Sequence, residues 1–244
     1  MYVADIADDS SVSAVTMLRV QDIPLDYRPT EGTYLPSESK GLADHTYAVV
    51  VEGSWTVWEL GEFPSKFAKI YSLLYALNVL KLPQLDRFPW RGGFSSMYFF
   101  NWAAHSIPSE DRPIVSAMQY ASPGFMRFSL HGGTAEQVTL CVRREGDVSI
   151  KEAYIQLSEY IRANKLNDIL YPDDSRWESH NQHLADGAAA IMRGFRVIDA
   201  DVFLKTCHRP FEAAKISMTF YRYINDLIKF ERDGLVRFPA ADPN

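Results

Sequence analysis

Cysteine, long apolar runs and basic charge are all scarce in this chain. Its 244 residues include only two cysteines, Cys141 and Cys207, which excludes the disulfide framework of small secreted domains. No apolar run reaches the roughly 20 residues of a membrane-spanning helix, so we expect no membrane insertion. The acidic N-terminal sequence MYVADIADDSS lacks the order of a signal peptide, which favours a cytoplasmic location. A formal net charge of −6 argues against nucleic acid as a partner.

The chain is rich in the residues that build a core, with 47% hydrophobic and 13% aromatic residues. Strand patterns concentrate before residue 131 and helix patterns follow it, which is typical of an α+β fold. We therefore predict an antiparallel or mixed sheet in the N-terminal half, with a mostly helical C-terminal half packed on it. The break at His131-Gly132-Gly133 divides a lobe over 1–132 from a helical lobe over 133–244, and we expect the two to pack as one unit.

The first lobe begins with a predicted strand over 12–20 and a proline-punctuated loop over 22–44. In 45–60, the β-rich segments YAVVVE and WTVWEL flank Gly53-Ser54, which predicts a hairpin with a two-residue turn. Apolar residues at helical spacing, with Pro64 in the first turn, predict a helix over 63–80.

The densest aromatic run of the chain follows Pro89 and predicts a helix over 94–105 that is buried on several sides. Two strands are predicted within 114–130, one over 114–121 and one over 125–130. Between them, Ser122-Pro123-Gly124-Phe125 suits a type II turn, because proline presets one central position and glycine tolerates positive φ at the next. The sequence leaves open whether these strands pair directly.

Capping boxes are the main signal after residue 131. A hydroxyl residue followed three positions later by Glu or Gln can satisfy unpaired amides at a helix start. Three such pairs predict helices over 135–145, 150–164 and 176–193: Thr134 with Gln137, Ser149 with Glu152, and Ser175 with Glu178. A short helix is predicted from Asp199 to Thr206. A long helix is predicted from Pro210 to Glu231, ended by Asp233-Gly234 and followed by a strand over 235–238.

The order of three of these segments resembles that of bacterial proteins without a known activity. The segments are the KIYSLLYAL helix, the GGFS helix start and the QYASPG turn. The resemblance implies a bacterial origin and transfers no site residue.

A glycine-rich turn before the aromatic helix is the first candidate site. Backbone amides at a helix start attract anions, and arginine adds a two-pronged donor. A nucleotide or phosphate pocket is therefore predicted from Trp90, Arg91, Gly92, Gly93, Ser95 and Ser96. The spacing matches neither a P-loop nor a dinucleotide fingerprint, and the alternative is a structural turn.

A histidine pair is the second candidate site. His180, His183 and Asp186 follow one another at steps of three on a predicted helix, and imidazole with carboxylate suits zinc or another first-row metal. A further ligand, such as Glu159 or His208, is needed because the three positions drift around the helix. The alternative is a solvated polar face.

Other polar residues give weaker signals. Cys207-His208 precedes a helix, where a thiol pKa can fall, but adjacent residues usually point apart. His105 and His131 flank the aromatic segment without a visible partner in sequence. Arg127 and Arg143-Arg144 could supplement an anion site, or could be surface charge.

No complete catalytic constellation emerges, so the sequence leans away from an enzyme. The leading hypothesis is a bacterial interaction or regulatory protein, a subunit of a larger or homo-oligomeric assembly, because the aromatic content exceeds what the candidate sites use. The alternatives are a nucleotide- or phosphate-binding protein using the Arg91 turn, and a metal-dependent hydrolase using His180 and His183. Protein partners or further copies of the chain are expected; no cofactor is assigned.

Overall fold

The computed structural model describes most of the chain from residue 46 onward, together with two short strands before it. The described residues are 2–5, 16–19, 46–80, 96–120, 123–169, 175–197, 200, 203, 204, 207 and 209–240. The predicted loop over 22–44 lies outside them, as does most of the predicted helix from Asp199 to Thr206.

The strands form two antiparallel sheets. Strand β1 (Tyr2–Asp5) pairs with β2 (Thr16–Arg19), which falls within the predicted strand over 12–20. The larger sheet has the order β4-β5-β3-β6 and every pairing in it is antiparallel. Its strands are β3 (Thr46–Val51), β4 (Ile114–Gln119), β5 (Gly124–Ser129) and β6 (Val236–Arg237).

Helices account for most of the rest, which confirms the α+β prediction. They are α1 (Val57–Asn78), α2 (Ser96–Ser106), α3 (Gly132–Val142), α4 (Val148–Ala163), α5 (Asn181–Gly194) and α6 (Pro210–Arg232). The aromatic helix predicted over 94–105 is therefore confirmed as α2. The long helix predicted from Pro210 is confirmed as α6, which ends beside Gly234 at a φ of 72° before the chain returns as β6.

The predicted hairpin over 45–60 is wrong in its second half, because the segment WTVWEL begins α1. The Thr56 side chain accepts from the Glu59 amide at 3.2 Å, and the Glu59 carboxylate accepts from the Thr56 amide at 2.6 Å. This reciprocal cap stabilises a helix start at Val57, six residues before the predicted one. The Trp55 ring turns inward and contacts Phe63 of α1 and Phe230 of α6.

The two strands predicted within 114–130 do pair directly. β4 runs antiparallel to β5, and the register shifts between Val115 and Ala117. This β-bulge leaves Ser116 as the extra residue on β4, and its hydroxyl donates to the Arg127 carbonyl at 3.3 Å. Part of the connecting turn lies outside the described residues, so its type stays a prediction.

The capping residues of the second half differ from those predicted, although helices form close to the predicted ranges. The His131 side chain caps α3 by accepting from the Thr134 amide. The Asp147 carboxylate caps α4 by accepting from the Ser149 amide and hydroxyl. Ser175 begins only a short 3₁₀ turn, Ser175–Trp177, and α5 starts at Asn181. Each predicted cap therefore lies inside, or well before, the helix it was expected to start.

One core connects the sheet with the helices. Phe67 of α1 stacks on Phe128 of β5 at 4.7 Å between ring centroids and on Tyr47 of β3 at 5.5 Å. On the same helix Phe63 contacts Phe230 of α6 and Phe238 beyond β6. Because β6 pairs with β3, the sheet of the N-terminal half takes a strand from the end of the chain.

Candidate functional site

The predicted anion-binding turn lies almost entirely outside the described residues. This applies to Trp90, Arg91, Gly92, Gly93 and Ser95, while Ser96 is the first residue of α2. The nucleotide or phosphate pocket therefore stays a prediction.

The two histidines of the predicted metal site surround a tyrosine from the neighbouring helix. The Tyr160 hydroxyl of α4 lies 2.8 Å from His180 Nδ1, within hydrogen-bond distance. His183 stacks on the Tyr160 ring with a centroid distance of 3.7 Å. These contacts explain both histidines as part of the α4–α5 packing, an arrangement that requires no metal.

Asp186 is held by a different partner from the two histidines. Its carboxylate accepts from the Gln182 side chain at 2.9 Å, within the exposed face of α5. Within the described ranges, no three His, Cys, Asp or Glu side chains are grouped closely enough to hold a metal ion. His208 is not among those residues, so metal binding by His180, His183 and Asp186 stays a prediction without a described set of ligands.

The two cysteines of the chain are both buried. Cys141 is buried in α3, and burial raises the pKa of its thiol to about 12, which keeps it protonated at neutral pH. Cys207 is also buried. Its sequence neighbour His208 lies outside the described residues, so the predicted reactivity of this pair stays a prediction.

Four of the remaining candidates have structural partners. His131 caps α3, and His105 Nδ1 donates to the Asn101 carbonyl at 2.6 Å on its own helix. Arg143 pairs with Glu231 at 3.1 Å, and Arg144 pairs with Asp147 at 2.5 Å. These contacts fix α3 against the end of α6 and the start of α4.

The exposed feature that the sequence did not predict is the edge of the larger sheet. Among the described strands, β4 pairs with β5 alone, so its other edge carries backbone groups without a strand partner. Large apolar side chains on it are exposed, including Ile114 at 56%, Val115 at 44% and Met118 at 41%. We call this surface the β4 edge, defined by Ile114, Val115, Met118 and Tyr120.

The register between β4 and β5 shows which way two of these side chains point. Val115 lies opposite Phe128 and Met118 lies opposite Met126, and both residues of β5 are buried on the side that faces α1. Directly opposed residues share a face of a sheet. Val115 and Met118 therefore continue the buried apolar layer onto the edge strand β4, where it becomes exposed.

Tyr120 holds the end of the β4 edge in place. Its hydroxyl donates to the Gly53 carbonyl at 3.0 Å and accepts from the Trp55 amide at 3.2 Å. Gly53 lies in the tight turn after β3 and has a φ of 70°, a backbone conformation that glycine adopts readily. The β4 edge is thus anchored at one end to the connection between β3 and α1, although Tyr120 remains 59% exposed.

Comparison with known proteins provides no family. A scan against protein-family models finds no match, and searches of curated proteins and of solved structures find none. In the part of the chain that the structure describes, no helix combines the length and the apolar character needed to cross a membrane.

Proposed function

We propose that this protein is a subunit of a homo-oligomeric assembly and that two copies associate through their β4 edges. The observation that carries the proposal is a strand edge that exposes large apolar side chains and whose sequence from Ile114 to Tyr120 contains no charged residue. Unpaired strand edges readily add a further strand, and the backbone hydrogen bonds gained do not depend on sequence.

The composition of the edge favours a second copy as the occupant. Natural proteins that keep an edge single usually place charged side chains on it, above all lysine. Two identical uncharged strands can meet without like-charge repulsion, and antiparallel pairing about a two-fold axis uses the same surface on both copies. Pairing would also bring the exposed Val115 and Met118 of each copy beside an apolar row of the other.

The bulge at Ser116 limits the strength of this association. A bulge bends its strand and interrupts regular pairing, which is a second way in which natural edges are protected. Six residues with one irregularity provide a small interface. We therefore expect a dissociation constant of about 1–100 μM, with monomer and dimer in measurable exchange.

Sedimentation velocity over a range of protein concentrations tests the proposal with a matched pair of variants. Met118→Lys places a charge on the β4 edge, whereas Ile155→Lys places the same charge at a site on α4 that is 39% exposed, close to the 41% of Met118. The wild type and Ile155→Lys should form dimers, and Met118→Lys should stay monomeric. A wild-type monomer at all concentrations up to about ten times the expected constant would overturn the proposal, as would equal dissociation of both variants.

A further inference from the structure

Tyr154 of α4 and Tyr221 of α6 form a stacked pair in the helical half of the fold. Their ring centroids lie 4.2 Å apart, and the planes of the two rings differ by 15°. Aromatic pairs in proteins usually lie roughly 4.5–7 Å apart, so these two rings are in unusually close face-to-face contact. The pair therefore connects two helices between which α5 lies in the sequence.

The packing at the end of α5 sets this close contact. Phe195, which follows α5, is buried and contacts Tyr221 with ring centroids 6.1 Å apart. At Gly194 a Cβ would lie 2.6 Å from Cγ1 of Ile150, so the glycine lets the end of α5 approach α4 one turn before Tyr154. Phe195 and this close helix approach hold the two tyrosine rings against each other from the side of the core.

Both tyrosines of the pair are half-buried, so part of each side chain is in contact with solvent. The Tyr154 hydroxyl forms no hydrogen bond with the described residues. Burial raises the pKa of the Tyr221 hydroxyl, the Asn225 side chain lowers it, and the charge that Tyr154 carries when ionised raises it further. The two hydroxyl groups are therefore close enough to interact electrostatically, and a small reagent can reach the pair from solvent.

A second tyrosine pair, Tyr71 and Tyr75 of α1, lies in a different environment. Its ring centroids are 5.8 Å apart, and the two residues are only 0% and 2% exposed. Both of its hydroxyls donate to Asp111. Reaction between two side chains is fastest when they are already in contact, and an oxidant in solution must also reach them. Contact and solvent access coincide at Tyr154 and Tyr221, whereas the buried pair lacks the access.

We propose that Tyr154 and Tyr221 are an oxidative modification site, at which a small one-electron oxidant such as the carbonate radical joins the two rings as dityrosine. Each phenol gives one electron to the oxidant and its hydroxyl proton to water, which leaves a phenoxyl radical. The two radicals form a single bond between ring carbons next to the oxygen-bearing carbons. Each of these carbons then loses its hydrogen as a proton while the phenol oxygen gains one. In total the oxidant accepts two electrons and the chain loses two hydrogen atoms.

The cross-link joins α4 to α6 by a covalent bond. A bond between residues that are far apart in sequence restricts the unfolded chain, which is the main way in which a disulfide stabilises a protein. Both cysteines of the chain are free and buried, so the tyrosine pair is the more accessible place for such a link. This modification is independent of the β4 edge, which involves other elements of the fold, so the two proposals stand or fall separately.

Oxidation of the full chain with light-generated tris(bipyridine)ruthenium(III), a one-electron oxidant, tests the proposal. The protein is kept at about 0.1 μM, below the dissociation constant expected for the β4 edge, so that links within one chain dominate. The dose is raised until half of Tyr120, which is 59% exposed, has reacted, so a missing product cannot result from a lack of oxidant. Proteolysis and mass spectrometry then identify each pair of linked peptides by the loss of two hydrogen atoms.

We expect the link between Tyr154 and Tyr221 to be the main product within one chain. Its yield should be at least about tenfold higher than in concentrated urea, because only the folded chain holds the two rings in contact. Tyr154→Phe and Tyr221→Phe should each abolish the link. Tyr160→Phe removes another half-buried tyrosine of α4 and should leave the yield unchanged.

Three results overturn the proposal. The first is a sample in which Tyr120 has reacted and no link between Tyr154 and Tyr221 is found. The second is an equal yield of this link in the folded chain and in urea, because the stacked contact then has no part in its formation. The third is a yield that falls as strongly in Tyr160→Phe as in Tyr154→Phe.

Discussion

The hydroxyl of Tyr75 donates a hydrogen bond to the carboxylate of Asp111, with 2.5 Å between the two oxygens. One turn earlier on α1, the Tyr71 hydroxyl donates to the Asp111 carbonyl at 2.8 Å and accepts from the His131 amide at 2.9 Å. Two tyrosines of a single helix therefore hold both the segment that leads into β4 and the turn that follows β5. Because Ile114 lies opposite Ser129, both contacts fix the same end of the strand pair on which the β4 edge depends.

Removal of the Tyr71 hydroxyl should destabilise the protein. In Tyr71→Phe, the His131 amide and the Asp111 carbonyl both lose a partner in a partly buried region, which should cost about 2 kcal/mol of unfolding free energy. Urea denaturation measures the loss. Tyr154→Phe is the control, because that hydroxyl forms no hydrogen bond with the described residues, and its change should stay within about 0.5 kcal/mol. Equal losses in both variants would contradict the role of Tyr71.

The cap at Thr56 should contribute to the stability of α1. Thr56→Ala removes the acceptor for the Glu59 amide, with an expected loss of about 1 kcal/mol. Ser65→Ala lies on an exposed position of the same helix and should change stability by no more than a few tenths of a kcal/mol. Thermal unfolding followed by circular dichroism distinguishes the two, and an unchanged midpoint in Thr56→Ala would contradict the capping box.

Two glycine-to-alanine changes should shift stability in opposite directions. At Gly187 of α5 a new Cβ would lie 2.7 Å from Cδ1 of the buried Leu157, so Gly187→Ala should cost about 1–3 kcal/mol. At Gly61 of α1 a Cβ meets nothing within 4 Å, and Gly61→Ala should stabilise the helix by about 0.5–1 kcal/mol. Chemical denaturation of both variants checks the close α4–α5 contact; stabilisation by Gly187→Ala would show that α5 lies further from α4.

Lys215 should make the unfolding free energy of the protein depend on pH in the neutral to alkaline range. Its pKa is about 7 in the folded chain against an ordinary value of 10.5, so between these values the unfolded chain binds more protons. The contribution of Lys215 to stability should therefore rise as pH increases from about 7 to 10.5. Burial is the main cause of the lowered pKa of Lys215, and the nearby positive charge of Arg222 on α6 adds to it.

The matching measurement is the unfolding free energy from pH 6 to 10, in steps of about half a unit, for the wild type, Lys215→Met and Lys151→Met. Lys215→Met should lose the rise that the wild type shows, while the exposed Lys151→Met should keep it. Parallel curves for all three proteins would mean that Lys215 is not desolvated in the folded state.

Sequence patterns predicted the elements whose signals are local. Pro210, the apolar spacing after it and Gly234 were sufficient for the bounds of α6 within a residue or two. The predicted strands of 114–130 were also found, because alternation and a proline–glycine turn are short-range signals. The anchoring of their ends by Tyr71 and Tyr75 was not predictable, since a hydroxyl shows its partner only after distant segments meet.

The start of α1 shows where local signals compete. The residues TVWE contain a capping box of the same type as those predicted later in the chain, yet valine and tryptophan also favour strands. In the helical arrangement Trp55 contacts Phe63 and Phe230, and Phe230 comes from the far end of the chain. Propensity alone could not rank these alternatives.

The candidate sites divide in the same way. The sequence by itself determined the α+β class and the division into a strand-rich and a helix-rich half. It also excluded a disulfide framework, since the chain has only two cysteines. Composition and periodicity are properties of the chain and can be read before it folds. Only the tertiary structure decided that β4 lies at an edge, that Tyr160 contacts both His180 and His183, and that Lys215 is desolvated. Exposure, pairing and protonation depend on which distant residues share a surface, and packing alone sets that.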